Sequence, residues 1–267
     1  MHTWLKNAGA RPILVGVVHL PATPGAPRFA GDMGELLDRA RADAAALVGG
    51  GADALIVENF GDVPFFLDRV PPETLVAMAR AVGAVASVAE DRPVGVNVLR
   101  NDARGALGLC AATEASFLRV NVHVGAMVTD QGLTRGRAAE TLRERTRLCP
   151  DALLLADVHV KHAAPLVARP IEEAALETVE RGLADALVVS GTRTGSPPSD
   201  GELARVRERL PGTPLLVGSG LDETNASSLL LSADGAIVGT SLKRGGRVEA
   251  PVDPGRVRRL RAVLDDA

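Results

Sequence analysis

Short apolar runs alternate with amphipathic stretches along the whole chain. The runs are rich in Val, Ile, Leu and Ala and are almost continuously apolar, which is typical of strands buried on both faces. We predict eight strands, at Ile13–Leu20, Ala54–Asn59, Val94–Leu99, Phe117–His123, Leu153–Val160, Ala186–Ser190, Leu215–Gly218 and Ala236–Gly239.

The stretches between these runs have helical periodicity. Examples are Met33–Val48, Glu73–Val88, Arg137–Leu148, Ile171–Leu183, Gly201–Leu210 and Arg256–Leu264. Alternating strands and helices predict parallel βαβ units, and eight units favour a closed (β/α)₈ TIM barrel over an open doubly wound sheet. A repeated segment supports the barrel, because Gly51–Val57 resembles Leu183–Val189 and Ala233–Gly239 is a third variant. No Pro-rich or Ser-rich linker divides the chain, so residues 1–267 are predicted to form one domain.

Composition agrees with an aliphatic barrel and excludes several classes of protein. The 267 residues are 46% hydrophobic, with five Phe, one Trp and no Tyr. Such a chain lacks an aromatic platform for single-stranded nucleic acid, and a net charge of −3 offers no basic field, so no nucleic-acid partner is predicted. Cys110 and Cys149 have no zinc-binding spacing and are expected to be free thiols in a reducing compartment.

The chain also lacks the marks of a membrane-spanning or exported protein. No apolar run reaches the roughly 18 residues of a membrane-spanning helix, and no cleavable leader is predicted. We therefore expect a cytoplasmic protein, with peripheral membrane association and homo-oligomerisation left open.

Polar and ionisable residues concentrate where the predicted strands end. In a TIM barrel the carboxyl ends of the strands and the loops that follow them carry the chemistry. Asp157, His159 and Lys161 alternate with valines at the end of the fifth strand, which predicts that all three share its inner face. A carboxylate, an imidazole and an amine together suit proton transfer or Schiff-base chemistry. The candidate catalytic residues are Asp157, His159, Lys161, Glu58, His123, His19, Asn97, Arg119 and Asn121.

Two other interpretations of these residues remain open. Arg119 paired with Glu58 or Asp157 would equally make a structural ion pair inside the barrel. The histidines and carboxylates could ligate a divalent metal ion, although the chain has no tight ligand motif such as HExxH. No cofactor is predicted.

Small residues follow the last two strands, where barrels frequently bind phosphate through backbone N–H groups. The alternative is that these glycines only make tight turns. The candidate phosphate-binding residues are Gly191, Thr192, Gly218, Ser219, Gly220, Gly239, Thr240 and Ser241. Three long loops, Pro21–Asp32, Val124–Gly136 and the segment after Thr192, are predicted to cover the mouth of the barrel without regular structure. No P-loop and no GxGxxG motif occurs, which argues against nucleoside triphosphatases and dinucleotide-binding folds.

Several of these segments together resemble the BtpA/SgcQ family. They are Gly16–Pro21, Val57–Pro64, Gly95–Asn101, Arg119–His123, Thr129–Gly132, Ala156–His162 and Val238–Lys243, and the resemblance extends from about Ile13 to Val257. It implies a barrel of the ribulose-phosphate-binding kind. The family takes its name from a factor, peripheral to the thylakoid, that supports photosystem I accumulation, and other members belong to sugar-utilisation gene sets; the resemblance implies positions and no settled reaction.

We therefore expect an enzyme that acts on a phosphorylated sugar or nucleotide-like small molecule by isomerase, epimerase or lyase chemistry. A non-catalytic assembly or stability factor, and a ligand-sensing barrel without turnover, are the alternatives.

Overall fold

The computed structural model describes residues 3–6, 11–191 and 193–266, and the strands of this part of the chain are mostly short. They are β1 (Ile13–His19), β2 (Ala54–Glu58), β3 (Val94–Asn97), β4 (Ala115–Val120), β5 (Ala126–Thr129), β6 (Gly132–Arg135), β7 (Leu153–Val158), β8 (Ala163–Pro165), β9 (Ala186–Val189), β10 (Leu215–Val217) and β11 (Gly235–Val238). Eight of them close into a parallel barrel in the order β1-β2-β3-β4-β7-β9-β10-β11, with β11 pairing back onto β1. The predicted (β/α)₈ barrel is confirmed.

Helices connect the barrel strands on the outside. The described helices are α1 (Thr3–Lys6), α2 (Met33–Gly49), α3 (Pro72–Ala86), α4 (Ala103–Ala112), α5 (Ala138–Leu148), α6 (Ile171–Glu180), α7 (Asp200–Arg209), α8 (Ala226–Leu229) and α9 (Pro254–Asp265). Polar N-caps begin several of them; the Ser199 side chain accepts from Glu202 N, and the Glu202 side chain accepts from Ser199 N. No described helix is long and apolar enough to cross a membrane.

Two apolar layers lie on the two sides of the barrel wall. Every second residue of each strand points inward, and these residues form a core around Phe117, with Trp4 of α1 packed against its ring at 5.1 Å between centroids. A Cβ at Gly95 would lie 2.3 Å from Phe117, so this glycine makes room for the Phe117 ring. The outward-facing residues pack against the helices in a second, larger cluster. Trp4 and Phe117 thus fill the barrel interior. The inward-facing residues at the C-terminal ends of the strands lie above them.

The prediction that Val124–Gly136 has no regular structure is wrong, because this loop contains a β-hairpin. β5 and β6 pair antiparallel, and β8 joins the other side of β5. Met127 anchors this small sheet against Val122 and Val160 of the barrel rim. The hairpin turn at residues 130–131 therefore projects over the mouth from a fixed base.

The two cysteines are free, as expected: Cys110 is buried in α4, and Cys149 ends α5 half-buried.

Candidate active site at the barrel mouth

Strand register places the polar residues in the last inward layer of the barrel. His19 pairs with Glu58 across β1 and β2, and Glu58 pairs with Asn97 across β2 and β3. Arg119 and Asp157 occupy inward positions on the neighbouring strands β4 and β7. Below this layer, inward residues are apolar. The polar layer is thus the C-terminal face of the packed core, where TIM barrels build their active sites.

Arg119 lies at the centre of this layer and is almost fully buried. Its Nε and Nη2 donate to the two carboxylate oxygens of Asp157 at 2.8 and 3.0 Å, and its Nη1 lies 3.6 Å from Glu58 Oε1. Burial by itself lowers the pKa of Arg119, but the attraction of Asp157 and Glu58 raises it above its usual value. The Asp157 side chain is completely covered. Asp157 therefore holds Arg119 in place and is not open to a substrate.

Two asparagines extend this network. Asn121 Nδ2 donates to Asp157 Oδ2 at 2.9 Å. Asn97 Nδ2 donates to Arg119 O at 3.0 Å and to Asn121 Oδ1 at 3.2 Å. The remaining polar atom, Asn97 Oδ1, is buried and has no hydrogen-bond partner among the residues that the structure describes. An unsatisfied buried acceptor in a cavity wall is a ready contact for a ligand donor.

His19 is held as a neutral imidazole beside Glu58. Its Nε2 lies 3.6 Å from Glu58 Oε2, and its ring stacks at 4.4 Å on Phe60. Burial, and then the positive charges of Lys243, Lys161 and Arg119, lower the pKa of His19 well below its usual value. A Cβ at Gly239 would lie 2.6 Å from the His19 ring, so this glycine lets the imidazole lie against the backbone.

Lys161 reaches the same cavity from the loop after β7. Burial, and then the charge of Arg119, lower its pKa, while Glu58 and Asp157 partly offset the effect. Its backbone carbonyl accepts from Arg100 Nη2 at 2.6 Å, which fixes the loop. A lowered pKa increases the fraction of neutral amine near pH 7, the form that attacks carbonyl groups.

Two predicted mouth residues lie elsewhere. β7 ends at Val158, and His159 has a positive φ of 52°, so the chain turns and His159 does not share the inner face with Asp157. β4 ends at Val120, and His123 turns outward to bond Gly182 O at 2.7 Å through Nε2. The predicted placements of His159 and His123 were wrong because the period of two holds only while a strand continues. Lys243, which follows the last barrel strand, is buried with its Nζ 3.8 Å from Asp43 of α2.

The predicted phosphate-binding residues gather after β10 and β11, apart from two. Gly191 packs under Pro197, and Thr192 is outside the described residues. Neighbouring atoms explain the glycines: a Cβ at Gly218 would lie 2.3 Å from Ser190 Oγ, and one at Gly220 would lie 2.1 Å from Pro197 N. Two of the hydroxyls are also engaged, since Ser219 donates to Ser196 O and Ser241 donates to Leu221 O.

Backbone donors remain free in this segment. In the part of the chain that the structure describes, the N–H groups of Ser219, Gly220, Thr240 and Ser241 make no hydrogen bond to another residue. Thr240 and Ser241 begin a short 3₁₀-helix, so their N–H groups have no acceptor within it. Free N–H groups on two adjacent loops are the usual means of holding a phosphate in a barrel.

The cavity above the polar layer has two lobes that share walls at Glu58, Arg119, Lys161 and Thr194. The cradle lobe, of about 250 Å³, lies over the loops after β10 and β11 and is also lined by His19 and Arg256. The outer lobe, of about 480 Å³, is lined further by Phe60, Phe65, Asn97, Arg100, Asn121 and Asp130. A molecule bound across both lobes would pass over Glu58 and Lys161.

Sequence reasoning did not select Arg100, Asp130, Thr194 or the two phenylalanines. Arg100 follows the end of β3 by three residues and Phe60 follows the end of β2 by two, which was an available signal. Asp130 reaches the mouth on the hairpin turn, and the hairpin itself was not predicted. Among the described residues, no three His, Cys, Asp or Glu side chains come together as a metal site, and none is assigned.

Sequence comparison identifies clear relatives. The BtpA family model matches residues 10–265. The Photosystem I biogenesis protein BtpA of Synechocystis sp. is 46% identical over 244 residues, which cover 91% of this chain and 85% of that protein. The putative sgc region protein SgcQ of Escherichia coli is 35% identical over 259 residues, covering 96% of this chain and 95% of that protein.

Solved structures share the fold at low sequence identity. N-(5'-phosphoribosyl)anthranilate isomerase from Pyrococcus furiosus superposes with a TM-score of 0.60 at 12% identity, covering 96% of this chain and all of that one. The YdjI aldolase from Escherichia coli K12 gives a TM-score of 0.53 at 14% identity, covering 99% of this chain and 91% of that one. Both comparisons establish the TIM-barrel fold alone.

Proposed function

The chain belongs to the BtpA family, and from that premise and the geometry of the mouth we propose an enzyme of isomerase or lyase type that acts on a phosphorylated sugar. The observation that carries the proposal is that Lys161 and Glu58 line both lobes, and so stand between the free backbone N–H groups of the cradle lobe and the open outer lobe. Solved barrels with isomerase and aldolase names share the fold, which is compatible with this role.

The phosphate would lie in the cradle lobe, bound by the N–H groups of Ser219, Gly220, Thr240 and Ser241. The Thr240 hydroxyl, which also faces this lobe, is a further donor. This anchor would place the adjoining sugar carbons over the centre of the barrel, where charge and proton-transfer groups are held rigidly.

Glu58 and His19 are the proposed proton-transfer pair, in place of the predicted Asp157 and His159. Glu58 lines both lobes, whereas Asp157 is covered by Arg119 and Asn121. Glu58 would remove a proton next to a substrate carbonyl, and the neutral His19 would shuttle it. Arg119 would stabilise negative charge that develops on the carbonyl oxygen, and Asp157 would position Arg119.

Lys161 is the proposed nucleophile for the lyase alternative. Its neutral amine would add to a carbonyl carbon and lose water to give an iminium ion, which borohydride reduces to a stable secondary amine. Incubation with ribulose 5-phosphate and borohydride should therefore add one sugar phosphate to the Lys161 peptide, detected by mass spectrometry. The buried Lys243 should remain unmodified in the same sample.

Two outcomes would contradict these assignments. If the Lys161→Ala variant turns over its substrate at the wild-type rate, the amine takes no part in the chemistry. If no phosphorylated sugar binds, and isothermal titration shows no heat with ribose 5-phosphate or ribulose 5-phosphate, the proposal as a whole is wrong. Tight binding without any product would favour a ligand sensor.

A second candidate is an assembly factor, as the name of the Synechocystis relative indicates. The outer face of the small sheet favours it, because Val128 and Leu166 are 48% and 57% exposed there, beside Leu133. A Glu58→Gln/Lys161→Ala double variant separates the two functions. Full function of this variant in a cell-based assay would support assembly and contradict catalysis.

A further inference from the structure

The outer lobe is larger and chemically different from the cradle lobe. At about 480 Å³ it falls within the roughly 300–1,000 Å³ of small-molecule sites, whereas the cradle lobe, at about 250 Å³, does not. A sugar phosphate anchored in the cradle lobe and reaching Glu58 would leave most of this volume unfilled. The phosphorylated sugar therefore has room to carry a second group, and the walls of the lobe indicate its chemistry.

The walls of the outer lobe concentrate aromatic rings in a chain that has few. Of the five Phe in the sequence, Phe60 and Phe65 both line this lobe, with Val63 and Leu99 beside them. Phe60 is held in place by its stacking on His19. Both rings belong to the loop between β2 and α3. Aromatic side chains bind planar ring systems well, because every such ring presents a π-face for stacking.

Two buried polar atoms in the same walls are without partners in the described part of the chain. Asn97 is 2% exposed and uses both amide hydrogens within the protein, which leaves Oδ1 free to accept. Arg100 is 4% exposed, and its Nη2 is bound to Lys161 O while its Nε is free to donate. One acceptor and one donor match a ring edge that carries an N–H and a carbonyl or ring nitrogen.

A carboxylate suits this lobe less well. Arg100, Arg119 and Lys161 line the lobe and would attract one, but Arg119 is already paired with Asp157, and Glu58 and Asp130 in the same walls would repel it. A carboxylate would also leave the apolar surface of Phe60 and Phe65 in contact with water. A neutral ring covers those surfaces without meeting this repulsion.

We propose that the outer lobe is a subsite for a planar nitrogen heterocycle of the nucleobase type, so that the substrate is a phosphorylated sugar bearing such a ring. The ring lies between Phe60 and Phe65 and bonds Asn97 and Arg100, while the phosphate occupies the cradle lobe. The bond that joins ring and sugar then lies near Glu58 and Lys161. This inference rests on the proposed function for the phosphate end.

Isothermal titration of the full chain tests the subsite. The probes are inorganic phosphate, ribose 5-phosphate, 6-phosphogluconate, the nucleosides adenosine, guanosine, cytidine and uridine, and their 5′-monophosphates. At least one nucleotide should bind ten or more times as tightly as ribose 5-phosphate. Phe65→Leu keeps an apolar side chain but removes the ring. It should lower the affinity for that nucleotide about 5- to 10-fold and the affinity for ribose 5-phosphate less than twofold. Phe66→Leu is the matched control, since the exposed neighbouring Phe66 does not line the lobe, and it should change neither affinity.

The outcomes separate this inference from the proposed function. If ribose 5-phosphate binds and no nucleotide binds more tightly, the heterocycle subsite is wrong and the sugar phosphate site stands. If 6-phosphogluconate binds more tightly than every nucleotide, the lobe takes a carboxylate and the inference is also overturned. If no phosphate ligand binds but a free nucleoside binds in a Phe65-dependent way, the subsite is supported and the proposed function fails. If Phe65→Leu folds poorly, the affinities of the wild-type protein for the nucleotides and for ribose 5-phosphate still decide the question.

Discussion

Arg–Asp ion pairs occur at both ends of the barrel, but their roles differ. At the N-terminal end, Asp53, Asp185 and Asp234 each stand directly before a strand, and each carboxylate accepts from a backbone N–H of the neighbouring strand at 2.7–2.8 Å. Each also pairs with an arginine of a surrounding helix, for example Arg207 with Asp234 at 2.6 Å. At the C-terminal end, Arg119 and Asp157 pair inside the barrel beneath the cavity.

The repeated segments of the sequence contain the aspartates of the ion pairs at the N-terminal end of the barrel. Within Gly51–Val57, Leu183–Val189 and Ala233–Gly239, Ala-Asp stands at 52–53, 184–185 and 233–234, and in each of these segments the aspartate joins two strands at the rim. These carboxylates are about 20–27% exposed, so solvent weakens their ion pairs, and the backbone hydrogen bonds carry much of their effect. Arg119 and Asp157 have no counterpart on the other strands. Repetition in this chain therefore marks stability, and the unrepeated polar positions mark the site.

The largest expected effect follows removal of Arg119. Arg119→Met leaves the carboxylate of Asp157 buried without its cation, and such an uncompensated charge costs about 3–5 kcal/mol of unfolding free energy. Urea denaturation measures the loss. An Arg119→Met/Asp157→Leu double variant removes both charges and should be less destabilised than the single variant. A loss below about 1 kcal/mol for Arg119→Met would show that Asp157 is not sealed from water.

A smaller effect is expected at the opposite end. Asp234→Ala leaves the N–H of Leu215 without its side-chain acceptor and removes the partner of Arg207, at a cost of about 1–3 kcal/mol. The affinity for ribose 5-phosphate should stay within twofold of wild type, because Asp234 lies at the far end of the barrel. Urea denaturation and isothermal titration on the same preparation measure the two quantities. A large loss of affinity at unchanged stability would contradict the division between the two ends.

The barrel was predictable from the sequence because its signal is repeated. Eight apolar runs separated by helical periodicity admit few arrangements, and each strand adds to the same conclusion. The inward positions of Arg119 and Asp157 followed from the alternation of side chains within strands, which strand pairing enforces. Glu58 and Asn97 were selected because they stand near the ends of predicted strands.

Side chains beyond the last residue of a strand were not predictable in the same way. Ladder hydrogen bonds stop at Val120 and Val158, and from there local turns decide direction, as the positive φ of His159 shows. The hairpin that carries Asp130 was missed because its strands are four residues each and it buries little apolar surface: Met127 is buried, but Val128 and Leu133 are 48% and 36% exposed. Lys161 was selected correctly as a cavity residue only because the turn at His159 returns the chain to the mouth.

Substitution of His123 is expected to have the smallest effect on stability. It tests whether His123 belongs to the outer wall of the barrel and not to the mouth at the same end. Burial lowers its pKa below the usual 6.5, against the opposing effect of its bond to Gly182 O. Below about pH 6.5 the unfolded chain therefore takes up a proton at this histidine that the folded chain does not, so the unfolding free energy falls as the pH falls. The limit for one histidine is about 1.4 kcal/mol per pH unit.

His123→Gln keeps an amide donor for Gly182 O and removes the titrating ring. Between pH 6 and pH 5 the variant should lose less stability than wild type, by at most about 1.4 kcal/mol, as measured by urea denaturation at each pH. Part of the acid sensitivity should remain, because the buried His19 has its pKa lowered by the same cause and keeps the same sign. Ribose 5-phosphate should bind the variant at pH 7 as it binds wild type, since His123 bonds the backbone at the start of the turn after α6 and does not line the cavity. If the pH dependence of the unfolding free energy were unchanged and the affinity for ribose 5-phosphate were lower, His123 would belong to the mouth, as the sequence predicted.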